Sequence, residues 1–125
     1  MTIKYTEEQV WIRTEGANSD LATVGITHHA QDALGDVVFV ELPSVGSTFK
    51  KGDVAGVVES VKAAADINMP IAGVVVAAND ELAKSPQSIN ADAYGAWMFR
   101  IKPDNIADLG RLMDAAAYAG HAEHE

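Results

Sequence analysis

The sequence predicts a mainly β fold: a flattened barrel or sandwich of two antiparallel sheets, with short helices and a C-terminal helical segment. Between residues 8 and 102, short apolar runs rich in β-branched side chains alternate with turn-forming residues, which is typical of antiparallel strands. Helical spacing of apolar residues appears only beyond residue 104. The 125 residues are therefore expected to form one domain, 1–125, with its core at about 8–102 and C-terminal helices at about 104–121.

The first predicted strands are residues 9–14 and 21–26. The turn-forming residues between them, 15–20, predict that the two strands pair as a hairpin. Thr27 can then cap a short helix over residues 28–34, because its hydroxyl can accept a hydrogen bond from a backbone N–H of the first turn. Gly35 follows and can end this helix.

A valine-rich strand is predicted at residues 36–42, followed by a loop at 43–52. Two more strands, 53–59 and 65–71, flank Lys62, which lies at the midpoint of the pair. This segment therefore predicts a β-hairpin with Lys62 at its tip.

Two later strands are predicted at residues 73–78 and 97–102. Between them, Asn79 or Asp80 can cap a helical turn, and the pair Ser85-Pro86 is a helix start. In the tail, apolar residues recur at helical spacing, with Asp104 and Asp114 as expected caps: Ile106, Leu109, Met113 and Ala117. The candidate core side chains of the strands are Phe39, Val54, Val57, Val74, Val76 and Trp97.

The composition narrows the classes of function. The chain has no cysteine, which excludes disulfides, thiolate metal sites and a cysteine nucleophile, so any dithiol chemistry must come from an attached group. The net charge of −9 argues against nucleic acid, whose binding depends on basic side chains. It favours a monomer that meets basic surfaces on partner proteins.

The sequence also carries information on location. No apolar run reaches the roughly 20 residues that a helix needs to cross a bilayer. Residues 1–8 lack the features of a signal peptide and are too acidic for a transit peptide. A cytoplasmic protein is therefore expected, or one of the mitochondrial matrix if a presequence has been removed.

Lys62 is the residue with the clearest chemical potential. It is the sole Lys or Arg between Gly52 and Ala83, and small side chains flank it, among them Ser60 and Ala63. A lysine in an exposed turn with small neighbours is open to a modifying enzyme.

The segment Glu59-Ser60-Val61-Lys62-Ala63-Ala64 resembles the lipoylation motif of the glycine cleavage H proteins, a family of lipoyl carriers. The resemblance runs in order along nearly the whole chain. It includes Val24 to Thr27, Ala30 to Asp36, Phe39 to Pro43, Gly46, Pro70 to Gly73, Asn79 to Leu82, Ser85-Pro86, Ile89-Asn90, Tyr94-Gly95 and Tyr118.

The resemblance implies a lipoyl/biotinyl-like fold and a carrier rather than an enzyme. It implies lipoic acid amide-linked to Lys62, which shuttles the aminomethyl group of glycine in glycine catabolism and one-carbon metabolism. The implied partners are a pyridoxal-phosphate glycine decarboxylase, a folate-dependent aminomethyltransferase, dihydrolipoamide dehydrogenase, and a lipoate ligase or lipoyl/octanoyl transferase. Glu59 and Gly46, three and sixteen positions before the lysine, would serve ligase recognition, and His29 would line the cleft in which the loaded arm docks.

The chain departs from the family pattern at two places. Gln9-Val10-Trp11 stands where the family usually has His-Glu-Trp, and Ala96 stands where another glycine usually precedes the tryptophan. The first change removes a polar pair expected near the arm-docking cleft.

Other functions remain as alternatives. One is an H-like relay protein that donates lipoyl groups to other lipoyl domains, with the same modified lysine. A biotinyl carrier is less favoured, because Val61 and Ala63 flank the lysine where biotin carriers place methionines. No nucleophile–base pair or phosphate loop suggests an enzyme. His121 and His124 with His28 and His29 form a poor metal set, so no metal is expected.

Overall fold

Nine strands in two antiparallel sheets dominate the computed structural model, which describes residues 2–14 and 21–118. The strands are β1 (Thr2–Tyr5), β2 (Val10–Thr14), β3 (Ala22–Ile26), β4 (Val37–Glu41), β5 (Thr48–Phe49), β6 (Val54–Ser60), β7 (Ala64–Asn68), β8 (Gly73–Ala78) and β9 (Phe99–Pro103). The larger sheet has the order β1-β2-β3-β9-β8-β5, and the smaller has the order β4-β6-β7. The two sheets do not close into a barrel, so the sandwich form of the prediction is the one observed.

All seven strands expected from the sequence are present, with bounds that differ by at most three residues. The largest difference is at β7, which ends at Asn68 rather than at residue 71. Pro70 explains it, because proline has no N–H to donate to a sheet. The expected hairpin of β2 and β3 is confirmed by their antiparallel pairing, whereas its turn at 15–20 lies outside the described residues.

Two short strands were not expected. β5 lies inside the predicted loop 43–52 and pairs with the start of β8. Two residues are too few to show a periodic pattern. β1 is an edge strand that pairs with β2, and its last residue, Tyr5, also bridges to Met113 of the tail.

Helix α1 (His28–Leu34) forms as predicted. The Thr27 side chain accepts a hydrogen bond from Ala30 N at 3.1 Å and so caps the first turn. Gly35 ends the helix at φ 81°, in the region that favours glycine.

Helix α2 (Asp80–Lys84) begins after Asn79, as expected, but the Asn79 side chain does not cap it. Its Nδ2 donates instead to Trp97 O at 2.7 Å. Helix α3 (Ser88–Ala91) begins two residues beyond the predicted Ser85-Pro86 start. The Ser85-Pro86 pair opens the turn that leads into it, since Ser88 N donates to Ser85 O at 3.0 Å.

The tail contains a 3₁₀ helix (Ile106–Arg111) and a helical turn at residues 115–118. Asp114 caps that turn as predicted, accepting from Ala117 N at 2.9 Å. The prediction of Asp104 as a cap is wrong. The side chain of the next residue, Asn105, caps the 3₁₀ helix, while Asp104 N donates to Ala72 O. No residue of the 3₁₀ helix is buried, so the tail covers the core only partly.

The main core contains side chains from both sheets, but the predicted core positions are wrong by one residue in β4, β6 and β8 and at Trp97, before β9. Phe39, Val54 and Val76 are 50%, 48% and 38% exposed, and Val57, Val74 and Trp97 are half-buried. Their neighbours point inward because successive side chains of a strand face opposite sides of the sheet. The buried residues are Val40, Ala55, Val58, Val75 and Met98.

In the described part of the chain, every helix is too short or too polar to cross a bilayer. The same residues contain no group of three or more His, Asp or Glu arranged to hold a metal ion. His121 and His124 lie outside the described residues.

Candidate functional site

Lys62 lies in the tight turn that joins β6 to β7. Ser60 N donates to Ala63 O at 2.7 Å and closes the turn. The Ser60 hydroxyl oxygen also accepts from the backbone N–H groups of Lys62 and Ala63, at 3.3 and 3.0 Å. The Ser60 side chain therefore provides hydrogen-bond acceptors for the backbone N–H groups of its own turn, as expected of a short polar side chain at such a position.

The tip of this hairpin is open to solvent. Val61 is 70% exposed, and Lys62, Ala63 and Ala64 are exposed as well. The expectation that Lys62 is exposed at the tip of a hairpin is therefore confirmed.

The turn also contacts the end of α1. Val61 N donates to Asp36 O at 3.1 Å, which links the hairpin tip to the segment that follows the helix. A Cβ at Gly35 would lie 3.3 Å from Lys62 Cε and 3.8 Å from its Nζ. The lysine side chain therefore lies over Gly35, where the absent side chain leaves it room.

Asn90 of α3 holds the same segment from the other side. Its Nδ2 donates to Gly35 O at 2.7 Å and to Gln31 Oε1 at 2.9 Å, and its Oδ1 accepts from Val37 N at 2.8 Å. The sequence alone does not predict this role of Asn90, because its partners lie 53 to 59 positions away and no local pattern indicates such contacts.

Of the residues expected to serve ligase recognition, Glu59 lies near Lys62 in the hairpin. It is exposed on β6, opposite Phe39 of β4 and Ala64 of β7. Gly46 belongs to a turn beside the other sheet, where its N–H donates to Val75 O at 2.7 Å. A Cβ at Gly46 would meet no atom within 4 Å, so its φ of 95°, rather than a lack of space, is what favours glycine.

His29 lies in the first turn of α1 and is half-buried. Gly35, which contacts Lys62, follows the last turn of the same helix. At 1.5 Å per residue, these two positions are separated by about 9 Å along the helix axis. A flexible arm that begins at Lys62 would therefore pass along α1 to reach His29.

The family model of the glycine cleavage H-protein matches residues 3–125. The chain belongs to this family. An H protein from Thiobacillus denitrificans is 57% identical over 123 residues, which is 98% of this chain and 94% of that protein. One from Chromobacterium violaceum is 58% identical over 118 residues, 94% of this chain and 91% of that protein.

Comparison of structures agrees. The crystal structure of a glycine cleavage system H protein from Mycobacterium marinum superposes with a TM-score of 0.87 at 36% identity, and the match covers 98% of this chain and 97% of that one. The H protein is the lipoyl carrier of the glycine cleavage system, a carrier rather than a catalyst. Neither the relay function nor a biotinyl carrier is favoured by these comparisons.

The residues around Lys62 fit the lipoyl group of an H protein. The amine is exposed, its neighbours in the turn are small, and Gly35 leaves space beside the stem. A covalent arm attached there would meet no bulky side chain from the turn itself.

Trp11, the last residue of the Gln9-Val10-Trp11 run, belongs to a second, aromatic cluster with Tyr5 and Tyr118, and Gln9 borders it. The Gln9 side chain accepts from the hydroxyls of Thr27, at 3.2 Å, and Tyr118. Tyr118 stacks on Tyr5 with ring centroids 4.5 Å apart, and Trp11 packs beneath them, fully buried. Gln9 therefore connects β2 to the cap of α1 and to the tail.

Val10 takes the place of the family's usual acid and is fully buried in the main core. Ala96, at the second departure, is buried as well and donates its N–H to Asp92 O at 2.9 Å. Val10 and Ala96 are thus small or apolar side chains that the fold buries.

Tyr94 completes the aromatic cluster. Its ring lies 6.0 Å from that of Trp11 and 6.5 Å from that of Tyr5. Burial raises the pKa of Tyr94 to about 12, and a hydrogen bond with Tyr5 adds to the effect. The cluster therefore keeps this phenol protonated well beyond its ordinary range.

Proposed function

We propose that Lys62 is the attachment point of lipoic acid and that this chain carries the aminomethyl group of glycine on the lipoyl arm. The observation that supports this most is the exposed Lys62 in a turn whose backbone is fixed by Ser60 and Asp36. An acylating enzyme needs a reachable amine in a defined backbone, and this turn offers both.

The attached group supplies the chemistry that the chain lacks. A chain without cysteine has no thiol or disulfide of its own. When bound, the lipoyl group supplies a disulfide whose sulfur can accept the aminomethyl group. The protein contributes position, and the tether raises the effective concentration of the group at each partner.

Glu59 and Gly46 are proposed to serve recognition by the ligase or transferase. Glu59 offers an exposed carboxylate on the hairpin that presents Lys62. Gly46 would act through the shape of its turn, since its φ of 95° is rarely adopted by other residues.

His29 is proposed to line the surface on which the loaded arm docks. Its position supports this, because α1 runs from His29 to the Gly35 that contacts Lys62. The aromatic cluster lies behind the first turn of this helix, where Thr27 contacts both Gln9 and Tyr118.

Membership of the glycine cleavage system implies partner enzymes of that system. We propose the pyridoxal-phosphate glycine decarboxylase, the folate-dependent aminomethyltransferase and dihydrolipoamide dehydrogenase, with a lipoate ligase or lipoyl/octanoyl transferase before them. The net charge of −9 favours basic docking surfaces on these enzymes. A cytoplasmic location and a monomeric state belong to the same proposal, supported by the bacterial origin of the relatives.

Intact mass spectrometry tests the site. Incubation with a lipoate ligase, ATP and lipoic acid should add one lipoyl group, and Lys62→Arg should abolish the addition, because guanidinium stays protonated and cannot be acylated. Lys84→Arg is the matched control, since the Lys84 side chain is 73% exposed but lies on a helix. An added mass that maps to Lys84 or to Lys51 would show that the site is wrong.

The carrier function needs a second assay with the same protein. The lipoylated form should support the exchange of bicarbonate with the carboxyl group of glycine by a glycine decarboxylase, and the unmodified form should support at least about tenfold less. A lipoylated protein that is inert with the decarboxylase, yet donates its lipoyl group to another lipoyl domain, would favour the relay function instead.

A further inference from the structure

We propose that Asn90 is a positioning residue that fixes the orientation of the Lys62 hairpin through residues Gly35, Asp36 and Val37. We call these three residues the 35–37 segment. The proposal rests on the proposed role of Lys62 and names the residue that holds the modified turn against the rest of the fold.

Asn90 uses its whole amide group in this contact. Its Nδ2 group donates to two oxygen atoms, Gly35 O and Gln31 Oε1. Its Oδ1 accepts a hydrogen bond from the N–H of Val37. The orientation of the amide is unambiguous, because a backbone N–H can only donate and a carbonyl oxygen can only accept. No other uncharged side chain of this length offers two donors and an acceptor in this arrangement.

Two of the three bonds fix the backbone on both sides of Asp36. Asn90 holds the carbonyl of Gly35 before it and the N–H of Val37 after it. The direction of the Asp36 carbonyl is thereby set, and this carbonyl accepts from Val61 N at 3.1 Å. A continuous series of hydrogen bonds therefore leads from α3 through the 35–37 segment to the residue next to Lys62.

Asn90 controls orientation, whereas Ser60 controls the shape of the turn. The bonds from Ser60 to Lys62 and Ala63 lie within the hairpin and do not involve Asp36. Loss of Asn90 should leave the turn closed while freeing its tip to move relative to α1. The Lys62 stem would then no longer be kept over Gly35.

Site-resolved amide hydrogen exchange measures this directly in the unmodified protein. In Asn90→Ala, the Val61 N–H should exchange about five- to tenfold faster than in the wild type, as expected for a hydrogen bond whose support is lost. The Ser60 N–H, which bonds to Ala63 O, is the internal reference and should change much less. Asn79→Ala is the matched control, because it also removes a part-buried side-chain bond to a carbonyl, that of Trp97, away from the hairpin.

Lipoylation kinetics give an independent measurement. A ligase that binds the hairpin in one orientation should show a KM about fivefold higher for Asn90→Ala with kcat unchanged, because a smaller fraction of the protein is ready to bind. The Asn79→Ala protein should keep the wild-type KM. If wild-type Lys62 is not lipoylated, the proposed function fails, while the exchange result for Val61 still decides the role of Asn90.

Asn90→Asp provides a second variant should Asn90→Ala not fold. Its carboxylate can still accept from Val37 N–H but has no N–H to donate to Gly35 O or Gln31 Oε1. Faster exchange confined to Val61 in either variant would support the proposal. Exchange at Val61 equal to wild type, or an equal rise at Ser60 and Val61, would overturn it.

Discussion

Lys62 differs from the surface residue Lys84 in the backbone that presents it, not in its exposure. Lys84 is also exposed, but it lies on α2 with Glu81 Oε1 4.0 Å from its Nζ. The backbone of Lys62 is bonded to Ser60, and that of its neighbour Val61 to Asp36. A reactive amine on a rigid turn costs less conformational entropy to bind than one on a mobile loop, which suits a lysine that an enzyme must recognise.

Glu59→Lys should impair lipoylation far more than it affects folding. The change places a positive charge on the hairpin that presents the Lys62 amine and removes a carboxylate available to the ligase. Loss of one charged hydrogen bond to a partner corresponds to about tenfold or more in kcat/KM. Asp66→Lys is the control, because Asp66 is exposed on the neighbouring strand β7. Equal losses in the two variants would indicate a general charge effect rather than recognition of Glu59.

Elements with local signals could be predicted from the sequence, and elements that depend on long-range contacts could not. Thr27 and Gly35 mark the ends of α1 because cap and terminator act within one turn. The pattern predicts the inward face of β4, β6 and β8 one residue out of phase. Valine-rich runs such as Val74 to Val76 are apolar on both faces, so the pattern does not show which face is buried.

Bulges make the inward face of a strand harder to predict. The register shifts between Val37 and Phe39 and between Val75 and Ala77 reset the alternation of side chains within a strand. In the functional site, the hairpin pattern of the sequence predicts the position of Lys62 at the tip. Asn90 did not, because the backbone groups that it bonds come together only when α1 and α3 pack.

Gly35→Ala tests the junction of α1 with the hairpin. The backbone of Gly35 has φ 81° and ψ −152°, a conformation adopted almost only by glycine. Alanine there should lower the free energy of unfolding by about 1–3 kcal/mol, measured by urea denaturation. Gly110→Ala is the control, because its Cβ would meet no atom within 4 Å and its backbone is unstrained. A Gly35→Ala protein as stable as the wild type would mean that the junction relaxes without cost.

At the scale of the whole molecule, two apolar clusters hold different elements of the fold together. The main core joins both sheets with α2 and α3, and it includes Val10, one of the departures from the family. The aromatic cluster joins the edge strand to the tail, since Tyr5 stacks on Tyr118. Thr27, the cap of α1, bonds to Tyr118 of this cluster, so the cluster contacts the start of the helix that leads to Lys62.

Ionisation of Tyr94 in the aromatic cluster should lower the free energy of unfolding at high pH. Its pKa is raised from 10.0 to about 12 in the folded state, chiefly by burial. Between these two pH values the unfolded chain loses the phenolic proton while the folded chain keeps it. The free energy of the unfolded state therefore falls relative to that of the folded state as pH rises. The stabilising contribution is complete below pH 10 and disappears as pH rises through about 12. The free energy of unfolding from urea denaturation should therefore fall more steeply from pH 10 to 12 in the wild type than in Tyr94→Phe. All other titrating groups are shared by the two proteins, so parallel curves would show that Tyr94 ionises equally in both states.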